Sequence, residues 1–207
     1  EAEFEAALLS VKSTQIMAHH RYPTSTPNLP EAAHPITVRH TELSSIWHVV
    51  HNGVIQNPDA MRQVHERLGY KYTTEVYTTF TAAQTKKEYY ADVNYNDSEA
   101  FAIDLARTLE GKQPLCESKG TIAYIAMQTN QEGRVLAVYY GTNGGNPITV
   151  QQHKNFLCVA SEGGTDTKAE CVKLDPVTLE REDRGEIFAS KPYMHSMGFR
   201  NGYYHES

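Results

Sequence analysis

Val50-His51-Asn52-Gly53-Val54-Ile55 is the stretch on which the fold turns. Asn-Gly is the residue pair best able to take the positive backbone angles of a tight turn, and strand-like runs flank it at 45–51 and 54–56. The segment therefore reads as a β-hairpin closed at Asn52-Gly53. Directly after it, Asn57 is placed to cap a helix that Pro58 begins and Gly69 ends. Met61, Val64 and Leu68 supply its apolar residues, which gives a helix over 58–68.

Upstream, Phe4, Leu8, Leu9 and Val11 fall on one helical face, so 2–12 reads as a short amphipathic helix and 14–20 as a strand. Pro23, Pro27, Pro30 and Pro35 then exclude regular structure, leaving a long loop over 22–35. Downstream, 70–95 is rich in Tyr, Thr and Lys without a period and receives no assignment. Asp97 or Ser98 can cap the next helix, whose Ala100, Ile103, Leu105, Ala106 and Leu109 are apolar and which Gly111 stops. Strands follow at 120–128, 134–140, 148–152 and 156–160, punctuated by Glu132-Gly133 and Asn143-Gly144-Gly145-Asn146. Shorter ones fit 171–174, 179–181 and 185–190. Helices grouped between runs of antiparallel strands indicate an α+β protein, one domain over 1–190 with a polar, aromatic tail at 191–207.

A chain of 207 residues supports one sizeable core. Its net charge of -6 opposes a nucleic-acid partner, because neutralising phosphates needs a basic face. No apolar run has the length of a membrane-spanning helix, so no membrane partner is expected. The three cysteines lack metal-type spacing, and their odd count favours reduced thiols in a reducing, cytoplasmic compartment. Cys116 lies in a polar linker, while Cys158 and Cys171 read as small core residues. Ten histidines, notably His19, His20, His34, His48 and His51, invite a metal reading. Adjacent His19 and His20 would point to opposite sides of a strand, and no helix-borne His-Glu-x-x-His pair is present, so neither metal nor cofactor is expected. Glu1-Ala2-Glu3-Phe4 shows neither an initiator Met nor a signal-peptide profile.

Four segments carry candidate chemistry: Ala18-His19-His20-Arg21-Tyr22-Pro23-Thr24, Ala33-His34-Pro35, Val50-His51-Asn52-Gly53-Val54-Ile55 and Asn96-Asp97-Ser98-Glu99. A guanidinium suits a carboxylate, because its planar fork gives two parallel charge-assisted hydrogen bonds. A carboxylate suits an ammonium. An amide and a glycine backbone N–H suit a developing oxyanion. In this order the segments resemble the glutamine pocket of class II glutamine amidotransferases, whose amidase domain belongs to the N-terminal-nucleophile hydrolase superfamily. The resemblance implies an αββα sandwich of antiparallel sheets, here incomplete at its amino terminus.

It assigns the α-carboxylate of L-glutamine to Arg21, with Tyr22 and Thr24 lining the same pocket, and the oxyanion hole to Asn52 and Gly53. The α-ammonium goes to Asp97; Thr73-Thr74-Glu75-Val76 is a rival match, but Thr74 carries no charge to pair with an ammonium. Looser matches follow at Gly120-Thr121-Ile122-Ala123, Gly145-Asn146-Pro147, Ala160-Ser161-Glu162 and Gly185-Glu186-Ile187. The family's nucleophile is an N-terminal cysteine whose own α-amino group accepts the proton, and this chain starts with Glu1. The resemblance thus implies a glutamine-hydrolysing, ammonia-releasing domain that needs a synthase domain or a chain supplying the missing N-terminal strand. The alternative is a non-catalytic descendant that binds an amino acid or serves in assembly.

Overall fold

The computed structural model describes residues 14–19, 30–81, 88–154 and 156–192, and of 77–81 and 88–94 the backbone alone. Its strands are β1 (Ile36–Val38), β2 (Ile46–Ile55), β3 (Val76–Thr81), β4 (Glu88–Asn94), β5 (Gly120–Thr129), β6 (Val135–Thr142), β7 (Thr149–Gln152), β8 (Leu157–Ala160), β9 (Thr165–Asp166), β10 (Val172–Leu174) and β11 (Arg181–Asp183). Its helices are α1 (Pro58–Arg67) and α2 (Asp97–Leu109), with a 3-10 turn at Pro30–Ala32. Six strands form the central sheet in the order β1-β2-β5-β6-β10-β11, three form a second in the order β8-β7-β9, and β3 pairs with β4. The pairings between these strands are antiparallel.

Alternation along β5 explains the layering, since successive side chains of a strand leave on opposite faces. Ile122, Tyr124 and Ala126 join Trp47, Val49, Ala137 and Tyr139 under Phe101 and Leu105 of α2 and Met61 of α1. On the other face Ala123, Ile125 and Met127 join Val138, Val172 and Leu174 against Ile148, Val150, Leu157 and Val159 at the second sheet. The order is helices, six-stranded sheet, three-stranded sheet. It is a mixed helix-and-sheet architecture in which two antiparallel sheets face each other.

Helix α2 is buried along Ser98 to Arg107, so each of its charged groups needs partners. The Glu99 carboxylate accepts the N–H and hydroxyl of both Thr73 and Thr74. Asp104 accepts the Ser118 N–H and hydroxyl and the Cys116 thiol, which fixes the connector into β5. Arg107 pairs with Glu42. Just past the helix, Glu110 accepts the N–H groups of Ser44 and Ser45, the Ser44 hydroxyl and the Trp47 indole N–H. Burial raises the Glu110 carboxyl, but these bonds outweigh it and hold the group below the usual range.

Several local expectations are corrected. Residues 46–55 form one continuous strand rather than a hairpin: Asn52 is registered with Ala123 and Gly53 with Ile122. Gly53 still uses its missing Cβ, since a methyl there would lie 1.7 Å from the Thr121 carbonyl oxygen. Residues 14–19 carry no strand. In α1 the buried residues are Met61 and His65, while Val64 and Leu68 are exposed. Asn57 precedes α1, but its amide bonds the Lys119 N–H and the Glu117 carbonyl instead of capping. Asn96, not Asp97 or Ser98, caps α2 by accepting the Ser98 N–H.

Cys116, expected in a polar linker, is fully buried because Asp104 and a bridge to Phe188 draw it inward; Cys158 is exposed instead of packed. Around 185–190 only that bridge forms, and the expected strand at 179–181 is found at Arg181–Asp183. Residues 70–95, left unassigned, hold β3 and β4. The helix expected over 2–12, most of the loop over 22–35, and the tail from 193 lie outside the described residues.

Candidate functional site

The fold brings separated segments to one place. A cavity of about 330 Å³ opens between the sheets and is lined by His19, Asn52, Ala123, Pro147, Ala160 and Ser161 among others. Ala18-His19, Asn52, the Gly145-Asn146-Pro147 turn and Ala160-Ser161 had each been singled out in the sequence. Asn52 is solvent-exposed on β2. Its backbone carbonyl accepts the Asn146 side-chain amide at 2.9 Å, which ties the strand to that turn.

Beneath Asn52 the two strands are stitched by side chains. The Thr121 carbonyl lies 3.2 Å from His51 Nε2, and the Val54 N–H donates to Thr121 Oγ1. The Ile122 N–H donates to Asn143 Oδ1, which also accepts the Gly145 N–H. Gly53 makes this possible, because a Cβ there would also approach His51 Nε2 to 2.9 Å. Gly145 plays the same part from the other side: its Cβ would meet the Thr121 Cα at 2.7 Å.

His51 is buried, with Nδ1 2.9 Å from Ser98 Oγ, and its backbone N–H donates to His34 Nδ1. His34 stacks in turn on His19 at 4.2 Å between ring centroids. A carbonyl only accepts, so the proton sits on Nε2, and Ser98 donates to the bare Nδ1. Burial lowers the His51 pKa to about 4 and His19 pushes the same way, against the attraction of the Thr121 carbonyl and Asp97. The ring is neutral, and both of its nitrogens are committed.

Asp97 opens α2, and its Oδ2 accepts the Ile55 N–H at 2.8 Å. It does not line the cavity around Asn52. The preferred segment and its rival turn out to be neighbours, because Glu99 holds Thr73 and Thr74. Arg21, Tyr22 and Thr24 lie outside the described residues. None of the three cysteines lines the cavity. Among the described residues, no group of three or more His, Cys, Asp and Glu stands close enough to hold a metal ion, and no helix is long and apolar enough to cross a membrane.

Thr121, Asn143 and Ser98 were not anticipated as site residues. Asn143 had been visible only as loop punctuation, and nothing local marks a threonine that lends its carbonyl to a histidine 70 residues away.

The sequence matches no protein-family model and no curated protein. Among solved structures, the chain is similar to glutamine phosphoribosylpyrophosphate (PRPP) amidotransferase from B. subtilis complexed with ADP and GMP, with a TM-score of 0.46 and 16% identity. The match covers 80% of this chain and 34% of that one. It is a distant likeness on which no residue role rests.

Proposed function

We propose that this chain is a class II glutamine amidotransferase-like amidase domain on an N-terminal-nucleophile hydrolase-like αββα scaffold, with L-glutamine as its ligand. The observation that carries the reading is the convergence of Ala18-His19, Asn52, Pro147 and Ala160-Ser161 on one cavity between two antiparallel sheets. Its volume of about 330 Å³ falls within the range of small-molecule sites. Arg21, with Tyr22 and Thr24, receives the α-carboxylate, and a ligand reaching past the cavity wall to the start of α2 presents its α-ammonium to Asp97.

Hydrolysis on this reading needs a cysteine with a free α-amino group, borne by another segment or a partner. Its sulfur adds to the side-chain carbonyl carbon of glutamine. The Asn52 amide and the Gly53 N–H then hold the oxygen that gains charge. Collapse breaks the carbon–nitrogen bond and releases ammonia, and water cleaves the thioester to glutamate. A synthase domain would consume the ammonia.

A second reading, an amino-acid binder without chemistry, is favoured by one observation. The buried His51 imidazole has both nitrogens engaged, and no cysteine lines the wall.

Calorimetric titration tests both readings. L-glutamine should bind saturably, Arg21→Ala should abolish the heat and Asn52→Ala should weaken it. Identical titrations of the Arg21→Ala variant and the unsubstituted chain would overturn the pocket. Ammonia release on mixing with a cysteine-bearing partner would select the enzyme over the binder.

A further inference from the structure

Helix α2 grips β2 at two points that bracket the Asn52-Gly53 pair. On one side the Ser98 hydroxyl meets His51 Nδ1 at 2.9 Å. On the other the Ile55 N–H donates to Asp97 Oδ2 at 2.8 Å. Between them His51 Nε2 reaches the Thr121 carbonyl of β5, directly below Gly53. The chain of contacts runs from Ser98 through His51 to Thr121 and ends at the backbone that presents Asn52 and Gly53.

We infer that Ser98 is a positioning residue: the Thr121 carbonyl fixes the proton on His51 Nε2, and the Ser98 hydroxyl, donating to the bare Nδ1, holds the ring in place so that it grips that carbonyl and sets the Asn52-Gly53 backbone for an amide ligand. The inference rests on the glutamine reading for its ligand and on geometry for its lock. With the proton on Nδ1 instead, Nε2 would present a lone pair to a carbonyl lone pair, and the contact would be repulsive. The doubly protonated ring would keep the Thr121 bond but turn Nδ1 into a donor, displacing the Ser98 hydroxyl from that role.

Among the described residues the groups facing the ring are few, and His34 meets the His51 backbone N–H. Ser98 and Asp97 come from α2, Phe101 packs on it at 4.9 Å between centroids, Thr121 comes from β5, and His19 approaches from the cavity side. Asp97 favours the cation, whereas burial and His19 oppose it. The Ser98 hydroxyl stabilises the neutral ring by filling its only acceptor. Removing that hydroxyl should therefore move the ring's titration upward by about one pH unit, the equivalent of one buried hydrogen bond.

Long-range proton–nitrogen correlation spectra of histidine-labelled chain read the tautomer without any ligand. In the unsubstituted chain His51 should show a bare Nδ1 and a protonated Nε2 from pH 8 to 5. Ser98→Ala should shift the Nδ1 resonance as its hydrogen bond is lost, raise the acid transition and weaken glutamine binding about tenfold. Ser98→Thr, which keeps the hydroxyl, should restore all three. A protonated Nδ1 in the unsubstituted chain overturns the lock whatever the variants do. Unchanged spectra and affinity in Ser98→Ala overturn it equally. Absence of glutamine binding with the spectra as expected removes the assigned ligand and leaves the lock standing.

Discussion

On the helix face of the six-stranded sheet, Trp47, Phe101, Leu105 and Ile122 are at 0% exposure, and the buried carboxylates Glu99 and Asp104 have their hydrogen-bond partners. The opposite face retains the site cavity of about 330 Å³ and a second, apolar one of about 480 Å³, walled by Ile125, Met127, Val138 and Leu174 and rimmed by exposed Ile16, Phe156 and Val177. One face is finished and the other is open. The difference assigns the parts: α2 and its anchors fix β2 rigidly from behind, so that Asn52 can stand exposed on the side where a ligand enters.

The contrast is broken most directly by deleting a large side chain from each face. Trp47→Ala removes a fully buried side chain and the indole bond to Glu110, and should destabilise the chain by about 3–5 kcal/mol in urea unfolding. Met127→Ala borders a cavity that already exists, so its cost should be about 1–2 kcal/mol. Equal losses would mean that the second face is as tightly packed as the first.

Gly53→Ala should follow, at about 3 kcal/mol, because φ is 147° and the new methyl meets backbone at 1.7 Å. Gly144→Ala, with φ of 91° and open space around it, should lose only about 1 kcal/mol. A Gly53→Ala loss no larger than that of Gly144→Ala would show that β2 and β5 can part at little cost.

Acid probes the same face chemically. His51 is held near 4 by burial with His19 adding to it, and His65 near 4 by burial with Arg107 adding to it; the attractions of Asp97 for the first and of Asp104 and Glu42 for the second only partly oppose this. Both folded values lie below the ordinary 6.5, so the unfolded chain binds more protons between them. Stability is then full above pH 6.5 and declines as pH falls toward 4, by about 3 kcal/mol for a fully buried ring. Unfolding curves that coincide at pH 7 and pH 4.5 would exclude neutral buried rings.

Glu99→Gln should cost about 2 kcal/mol, since an amide nitrogen cannot accept from the threonine donors that the carboxylate now satisfies. Hydrogen exchange at the Thr73 and Thr74 amides should rise with it. Continued protection there would detach Glu99 from the packing of the loop on α2.

How much of this was legible follows from what each residue answers to. Strands β5, β6, β7 and β8 were readable within one or two residues, because β5 is covered on both faces and the Gly-containing runs at 132–133 and 143–146 separate them. The Asn52-Gly53 turn was misread for a physical reason: the property that suits glycine to a turn, its missing Cβ, here serves close approach to Thr121. His65 escaped notice as a core residue because a histidine counts as polar until Tyr72 is seen 3.0 Å from its Nδ1. The cap shifted to Asn96 because three adjacent residues are all good caps, and Ala32 and Thr74 select among them by bonding Asn96. Among the described residues β3 and β4 pair only with each other, so no described neighbouring strand writes a pattern into 70–95. Of the site, Asn52, Pro147 and Ser161 could be found from motifs. The Ser98–His51–Thr121 link joins three distant segments and has no local signature.

The smallest effect is the sharpest control on the comparison. Val177 is 81% exposed at the rim of the apolar cavity, in the turn between β10 and β11. That turn is held by backbone and by the Asp175 carboxylate, which accepts the N–H groups of Val177 and Thr178. None of these bonds needs the isopropyl group, and a side chain so exposed loses little contact with water on folding. Val177→Ser should therefore change stability by less than about 0.5 kcal/mol in urea unfolding. A loss above about 1 kcal/mol would mean that Val177 is covered in solution, and the second face would then have to be regarded as closed.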